Sequence, residues 1–145
     1  MDIRHLTADY SVSPQIAPSD LPAIAAAGFR AVICNRPDAE VGPDTNAAAV
    51  KAAAEAAGLA FVVNPVTHQG LNMEMVALQR DTIAGAEGPV LAYCASGTRS
   101  TIVWALGQAG RMSTDAILNT AASAGYDLDG LRPRIDALAM ANQSG

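Results

Sequence analysis

Seven consecutive residues, Cys94-Ala95-Ser96-Gly97-Thr98-Arg99-Ser100, hold most of the chemistry that this chain offers. A cysteine thiolate is a strong nucleophile, and its formation is favoured by nearby positive potential. Gly97 tolerates backbone angles that other residues resist, so the N–H groups of Ala95, Ser96, Gly97 and Thr98 can converge on one anion. Arg99 closes the loop with a planar fork of donors suited to a tetrahedral oxyanion. The Ser100 hydroxyl is expected to hydrogen-bond the sulfur as a helix begins. A cysteine that only packs at a strand end would need neither Gly97 nor Arg99 at these positions. Cys94 is therefore read as a nucleophile and Arg99 as its anion clamp.

The elements around this loop follow from the apolar pattern. Ser11-Val12-Ser13 is a weak first strand, after which Ser19 is expected to cap a helix that has Asp20 in its first turn and stops at Gly28. Ala31-Val32-Ile33-Cys34 is a short buried-strand pattern, and Ala60-Phe61-Val62-Val63 is a further good strand. Between them, about Asn46 to Ala57 is an alanine-rich helix closed by Gly58. Asn72 caps a helix to about Ala84, and Pro89 to Tyr93 forms the strand that delivers the chain to Cys94. A helix from near Ser100 runs through Trp104 to about Gln108. Ser113 caps the next, which ends near Gly125, and the last begins around Leu128 to Leu131. Alternating strands and helices predict a single α/β domain over residues 1–145. Its centre is a mostly parallel sheet of four to five strands with helices on both faces. Cys94 then lies outside the carboxyl end of a strand, where such sheets bind ligands.

Composition narrows the partners. Half of the 145 residues are hydrophobic and the net charge is −5, with no basic run. That balance argues against a nucleic-acid or membrane partner and leaves room for a small anionic substrate held by a local arginine. No apolar run is long enough for a membrane span, and the start has no apolar signal core, so a cytoplasmic location is expected. Cys34 and Cys94 are expected as free thiols, and Cys34 as a small core hydrophobe. Neither joins a metal-ligand cluster, so no metal and no cofactor is expected. Trp104 reads as packing, His5 as structural or exposed, and Arg132 and Arg134 as parts of a charged face without a catalytic role. Arg36, at the carboxyl end of the second strand, is expected either to bind substrate or to pair with Asp38 or Glu40.

The stretch Tyr93-Cys94-Ala95-Ser96-Gly97-Thr98-Arg99-Ser100 resembles the active loops of two related chemistries. Tyrosine and dual-specificity phosphatases have a His-Cys start and five residues between Cys and Arg. Rhodanese sulfurtransferases often have four, as here, and Tyr93 stands where a phosphatase usually has His. Tyr10 to Ile16, Gly28 to Asp38, Asn64 to Thr67 and Ala122 to Leu128 resemble the bacterial beta-lactamase-hydrolase-like, phosphatase-like domain family. That resemblance implies a tyrosine/dual-specificity-phosphatase-like fold with Cys94 as nucleophile and Arg99 as anion clamp. Some members of that family are fused to persulfide dioxygenases, which makes such an enzyme a candidate partner.

The transferred group stays open between two chemistries. Hydrolysis through a phosphocysteine calls for an acid to protonate the leaving oxygen. The loop Val66-Thr67-His68-Gln69-Gly70 has no carboxylate there, which leaves His68, with its pKa near neutrality, as the candidate acid. Sulfur transfer from thiosulfate or a persulfide needs no proton on its leaving group. On residue chemistry alone the chain is expected to be a sulfurtransferase working through a Cys94 persulfide. A phosphatase acting on a phosphoester is the alternative.

Overall fold

The structure is a computed structural model that describes residues 1–67 and 69–144. Five strands form one sheet: β1 (Arg4–His5), β2 (Tyr10–Ser13), β3 (Ala31–Cys34), β4 (Ala60–Val63) and β5 (Val90–Tyr93). Their order is β1-β2-β5-β3-β4, with β2, β5, β3 and β4 parallel and β1 antiparallel on the edge. Among the described residues the α-helices are α1 (Leu21–Ala26), α2 (Ala47–Ala56), α3 (Met73–Gly85), α4 (Thr98–Gly107), α5 (Thr114–Ser123) and α6 (Arg132–Ser144). This is the predicted single-domain α/β architecture.

The sheet sorts its side chains by the two-residue period of a strand. Tyr10, Val12, Ala31, Ile33, Val90 and Ala92 point to one core, shared with α3 to α6. Val32, Cys34, Leu91 and Tyr93 point to the other, shared with α1 and α2. β5 lies between β2 and β3 and is buried along its whole length, so apolar residues fill both its faces. Trp104 belongs to the first core, where its ring stacks on Tyr10 with centroids 6.3 Å apart. Cys34 belongs to the second, and both cysteines are free and buried. His5 bonds Ser11 Oγ through Nδ1 at 2.7 Å and stacks on Phe29.

Several local expectations are corrected. β1 has only two residues, too few for a periodic signal, and β2 begins at Tyr10 rather than Ser11. Ser19 does not cap α1; Pro18–Asp20 form a 3₁₀ turn whose Asp20 carboxylate folds back onto the Ala17 N–H at 2.9 Å. β4 is an edge strand, so Val63 is exposed despite its apolar sequence. Further 3₁₀ turns are Asp38–Glu40, after β3, and Asp129–Leu131, just before α6. Asn46, Asn72 and Ser113 each accept a backbone N–H at the start of a helix. Among the described residues, no helix is long and apolar enough to cross a membrane.

The correction nearest the chemistry concerns α4, which starts at Thr98 rather than near Ser100. Gly97 occupies its N-cap with φ +95°, a left-handed conformation that costs glycine little and other residues more. The chain therefore turns within Ala95 to Gly97, and Arg99 and Ser100 already belong to the first helical turn. A side chain at Gly97 would also collide with the Tyr126 hydroxyl.

Candidate active site

Cys94 is fully buried at the end of β5, where its N–H donates to the Ser13 carbonyl of β2. On the other side, the Asn35 N–H donates to the Tyr93 carbonyl at 2.8 Å. Both neighbours thus fix the strand end from which the loop departs.

The loop's shape follows from what holds its carbonyls. The Ala95 carbonyl accepts the Gln15 N–H at 3.4 Å. The Ser96 carbonyl accepts the Tyr126 hydroxyl at 3.0 Å. The Gly97 carbonyl accepts both the Thr101 N–H and the Thr101 hydroxyl. In a trans peptide the carbonyl and the following N–H point in opposite directions. Pinning these three carbonyls outward therefore turns the N–H groups of Ser96, Gly97 and Thr98 towards the loop interior. The Gly97 N–H donates to Cys94 Sγ at 3.1 Å, and the Thr98 N–H meets Ser96 Oγ at 3.4 Å. Inward N–H groups at the start of a ten-residue helix favour an anion at the sulfur and beside it.

Arg99 is held by a partner that sequence inspection did not supply. Its Nη1 and Nη2 donate to the two oxygens of Glu40 at 2.7 and 2.6 Å, and Nη1 also donates to the Val66 carbonyl at 2.9 Å. The Arg99 side chain is only 6% exposed, against 32% for Glu40. Glu40 also accepts from Arg36 Nε at 3.3 Å, so Arg36 does pair with Glu40. Glu40 raises the pKa of Arg99 above its ordinary value, and the nearby Cys94 sulfur raises it further. A two-point pair of this kind fixes a side chain that is otherwise rich in rotamers. Glu40 is a positioning residue for the clamp.

That pair has a pH signature. Hydrogen bonding from Arg99, and to a lesser degree from Arg36, holds the Glu40 carboxyl below the usual carboxylate range. A lowered folded-state pKa contributes stability that is present above the ordinary glutamate value of about 4.3 and lost as pH falls through the lowered value. Glu40→Gln offers Arg99 a single oxygen. Its melting temperature is expected to lie furthest below wild type at neutral pH and to converge with it in acid. Thermal melts of both proteins across the carboxylate range check this, and a gap that persists in acid would contradict it.

Ser100 departs from expectation. Its hydroxyl is buried and has no hydrogen-bond partner among the described residues, so the bond to sulfur comes from Gly97 instead. The early start of α4 is the cause, because it places Ser100 inside the helix. The Ser100 carbonyl accepts the Tyr10 hydroxyl at 2.8 Å, which in turn accepts Gln79 Nε2 at 2.9 Å. Gln79 also bridges Asn35 and Asn64 at the ends of β3 and β4. Burial pushes the Tyr10 phenol well above its ordinary pKa, which keeps it a donor. A buried polar network thus ties the first turn of α4 to the rim of the sheet. Tyr93 is fully buried in the second core. His68 lies outside the described residues.

Known proteins match this arrangement. The family model described as beta-lactamase hydrolase-like protein, phosphatase-like domain, matches residues 2–111, which include the Cys94 loop and all of α4. A beta-lactamase hydrolase-like protein of Agrobacterium fabrum is 35% identical over 117 residues, covering 79% of this chain and 27% of that protein. This chain therefore spans little more than a quarter of that relative's length. A crystal structure from Neisseria meningitidis, of a protein provisionally described as a phosphatase, superposes with TM-score 0.83 at 37% identity. It covers 95% of this chain and 99% of that one. The fold is shared more distantly with Pseudomonas aeruginosa TpbA in complex with phosphotyrosine. There the TM-score is 0.68 at 15% identity, covering 99% of this chain and 91% of that one. The match over residues 2–111 and the identity with the Agrobacterium protein agree with the loop and the sheet order: the chain belongs to the beta-lactamase hydrolase-like protein, phosphatase-like domain family.

Proposed function

We propose that the chain is a phosphatase that hydrolyses phosphomonoesters through a phosphocysteine at Cys94. The observation that carries this is the loop itself: the Gly97 N–H sits on Cys94 Sγ at 3.1 Å at the start of α4, and Glu40 holds the Arg99 guanidinium near the sulfur. Family membership and the likeness to the Neisseria protein favour phosphoryl chemistry over the sulfurtransferase expected from residue chemistry alone. They lend no support to persulfide substrates or to a persulfide dioxygenase partner.

In the first step the Cys94 thiolate attacks phosphorus, a P–S bond forms and the ester P–O bond breaks. The non-bridging oxygens take the N–H groups of Ser96, Gly97 and Thr98 and the Arg99 N–H groups that Glu40 and Val66 leave unused, at Nε and Nη2; together these stabilise the charge that builds up on them. The leaving oxygen takes a proton from His68, or leaves unaided when it is an aryl oxygen of low basicity. In the second step water attacks phosphorus, the P–S bond breaks and phosphate departs. The unpartnered Ser100 hydroxyl is then a donor for the departing thiolate. Free thiols at Cys34 and Cys94 suit a reducing, cytoplasmic compartment.

One observation favours the second reading, sulfur transfer: residues 64–70 contain no Asp or Glu to serve as the acid. Phosphate release from an aryl phosphate, run beside sulfur transfer from thiosulfate to cyanide, separates the two. Release of phosphate that Cys94→Ser abolishes supports the phosphatase. Cys94-dependent thiocyanate formation without phosphate release would replace it.

Tyr126→Phe tests the loop argument. Removing the hydroxyl frees the Ser96 carbonyl, so the Gly97 N–H loses its fixed direction towards sulfur. With one charge-neutral bond lost, stability should fall by only about 1 kcal/mol, while kcat on an aryl phosphate should fall about tenfold. Unchanged kcat in a folded variant would show that the Tyr126 anchor does not set the loop.

A further inference from the structure

Beside Arg99 lies a second feature that the chemistry at sulfur does not use. A cavity of about 220 Å³ is lined by Val66, Leu71, Ile102 and Leu131, together with Arg99 and Arg134; Thr67 and Gln69 also contribute. Arg99 lines this cavity and also belongs to the loop, so a single side chain separates the cavity from the reacting centre. The four apolar walls come from the segment after β4, from α4 and from the turn before α6.

Arg134 distinguishes the cavity from an ordinary surface dent. Most basic side chains of this acidic chain are paired: Arg4 with Asp2, Arg36 and Arg99 with Glu40, Lys51 with Glu55, Arg80 with Asp81 and Arg132 with Asp115. Arg134 makes no ion pair among the described residues, although its helix neighbour Arg132 does. Arg99 cannot supply charge to the cavity on its own, since Glu40 already accepts from both its terminal nitrogens. The cavity therefore joins apolar walls to one uncommitted cation.

We infer that this cavity is a leaving-group subsite for aryl phosphates carrying a second anionic group, with Arg134 as the residue that recognises that second charge. The inference rests on the phosphatase reading for the identity of the transferred group. Size supports a ring: an apolar cavity of about 150 Å³ holds benzene, and about 220 Å³ admits one ring with a small substituent. Leaving-group chemistry supports it too. An aryl oxygen departs with little proton assistance, which matches a loop without a carboxylate at residues 64–70. Charge complementarity selects the substituent, because a carboxylate on the ring gives Arg134 the partner it lacks. Arg134 thus has a role that its place on a charged helix face did not suggest.

The test compares benzylphosphonate with 4-carboxybenzylphosphonate, neither of which can be hydrolysed, by calorimetric titration of the full chain. The carboxylate is expected to tighten binding about fivefold, the scale of a partly solvated ion pair. Arg134→Ala should remove that preference, and Arg134→Lys should restore part of it. Equal affinity for the two phosphonates, no measurable binding of either, or a preference that survives Arg134→Ala would overturn the subsite. Hydrolysis of phenyl phosphate and 4-carboxyphenyl phosphate is measured alongside. If neither ester is turned over while the phosphonates keep the Arg134-dependent preference, the phosphatase reading fails and the subsite stands.

Discussion

Cys94→Ser is expected to lower phosphate release from an aryl phosphate about ten-thousand-fold or more, the scale seen when an enzyme loses its nucleophile. Serine keeps the size of the side chain and can still accept the Gly97 N–H that now reaches sulfur at 3.1 Å. What it lacks is an accessible anion. A hydroxyl ionises far above neutral pH, whereas a thiolate is the reactive form of cysteine. Because the position is fully buried and the shape is conserved, the fold should survive, with a melting temperature close to wild type. Binding of phosphate ion should survive as well, since the N–H groups and Arg99 remain. Turnover lost while phosphate binding is retained is the signature of a nucleophile. Loss of both together would mean that the sulfur holds the loop rather than attacks.

Arg99→Ala carries the second large effect, and it acts at two levels. In catalysis it removes the guanidinium N–H donors beyond the Glu40 pair that meet the developing charge, which costs about a hundred- to a thousand-fold in kcat. In the fold it deprives Glu40 of its main partner and leaves the Val66 carbonyl without the donor now 2.9 Å away. Stability should therefore fall alongside activity, and activity must be normalised to the folded fraction. Arg99→Lys separates the levels. A lysine restores the positive charge opposite Glu40 but cannot make the two parallel bonds, so it should regain most of the stability and little of the rate. Steady-state kinetics with thermal melts on both variants give the comparison. If lysine restored the rate, charge alone would be enough and the fork geometry would not matter.

How much of this could be read from the chain depends on distance along it. The sheet and most helices were legible because β3 and β5 are uninterrupted apolar runs, while Asn46, Asn72 and Ser113 carry standard cap chemistry at helix starts. The Cys94 loop was legible because nucleophile, glycine and arginine lie within six residues. Partners of that loop were not. Glu40 reaches Arg99 across 59 positions and Tyr126 reaches Ser96 across 30, and neither has a local pattern that marks it. Only the pairing of Glu40 with Arg36, four positions before it, is local enough to read, and that is half of what Glu40 does. Ser100 was misjudged because a helix start cannot be fixed to within two residues from sequence, and that shift decides which way a hydroxyl points. The exposure of Val63 was not legible, because an apolar residue type does not reveal whether a strand is central or at the edge.

The choice between phosphoryl and sulfur transfer exposes the same limit from the chemical side. A missing carboxylate in residues 64–70 favoured sulfur, since that leaving group needs no proton. The same absence is equally compatible with a phosphatase whose substrates have good leaving groups, and the family of the chain points that way. A local inventory of acids and bases constrains what the substrate must supply more tightly than it constrains the element that moves.

The most direct measurement is acid-quenched mass spectrometry of the protein caught during turnover of an aryl phosphate, with a parallel sample mixed with thiosulfate. A phosphoryl group on the peptide that holds Cys94, absent in Cys94→Ser and enriched in Ser100→Ala, is the predicted result. A sulfur atom on Cys94 after thiosulfate, with no phosphoryl adduct under any quench time, would contradict it.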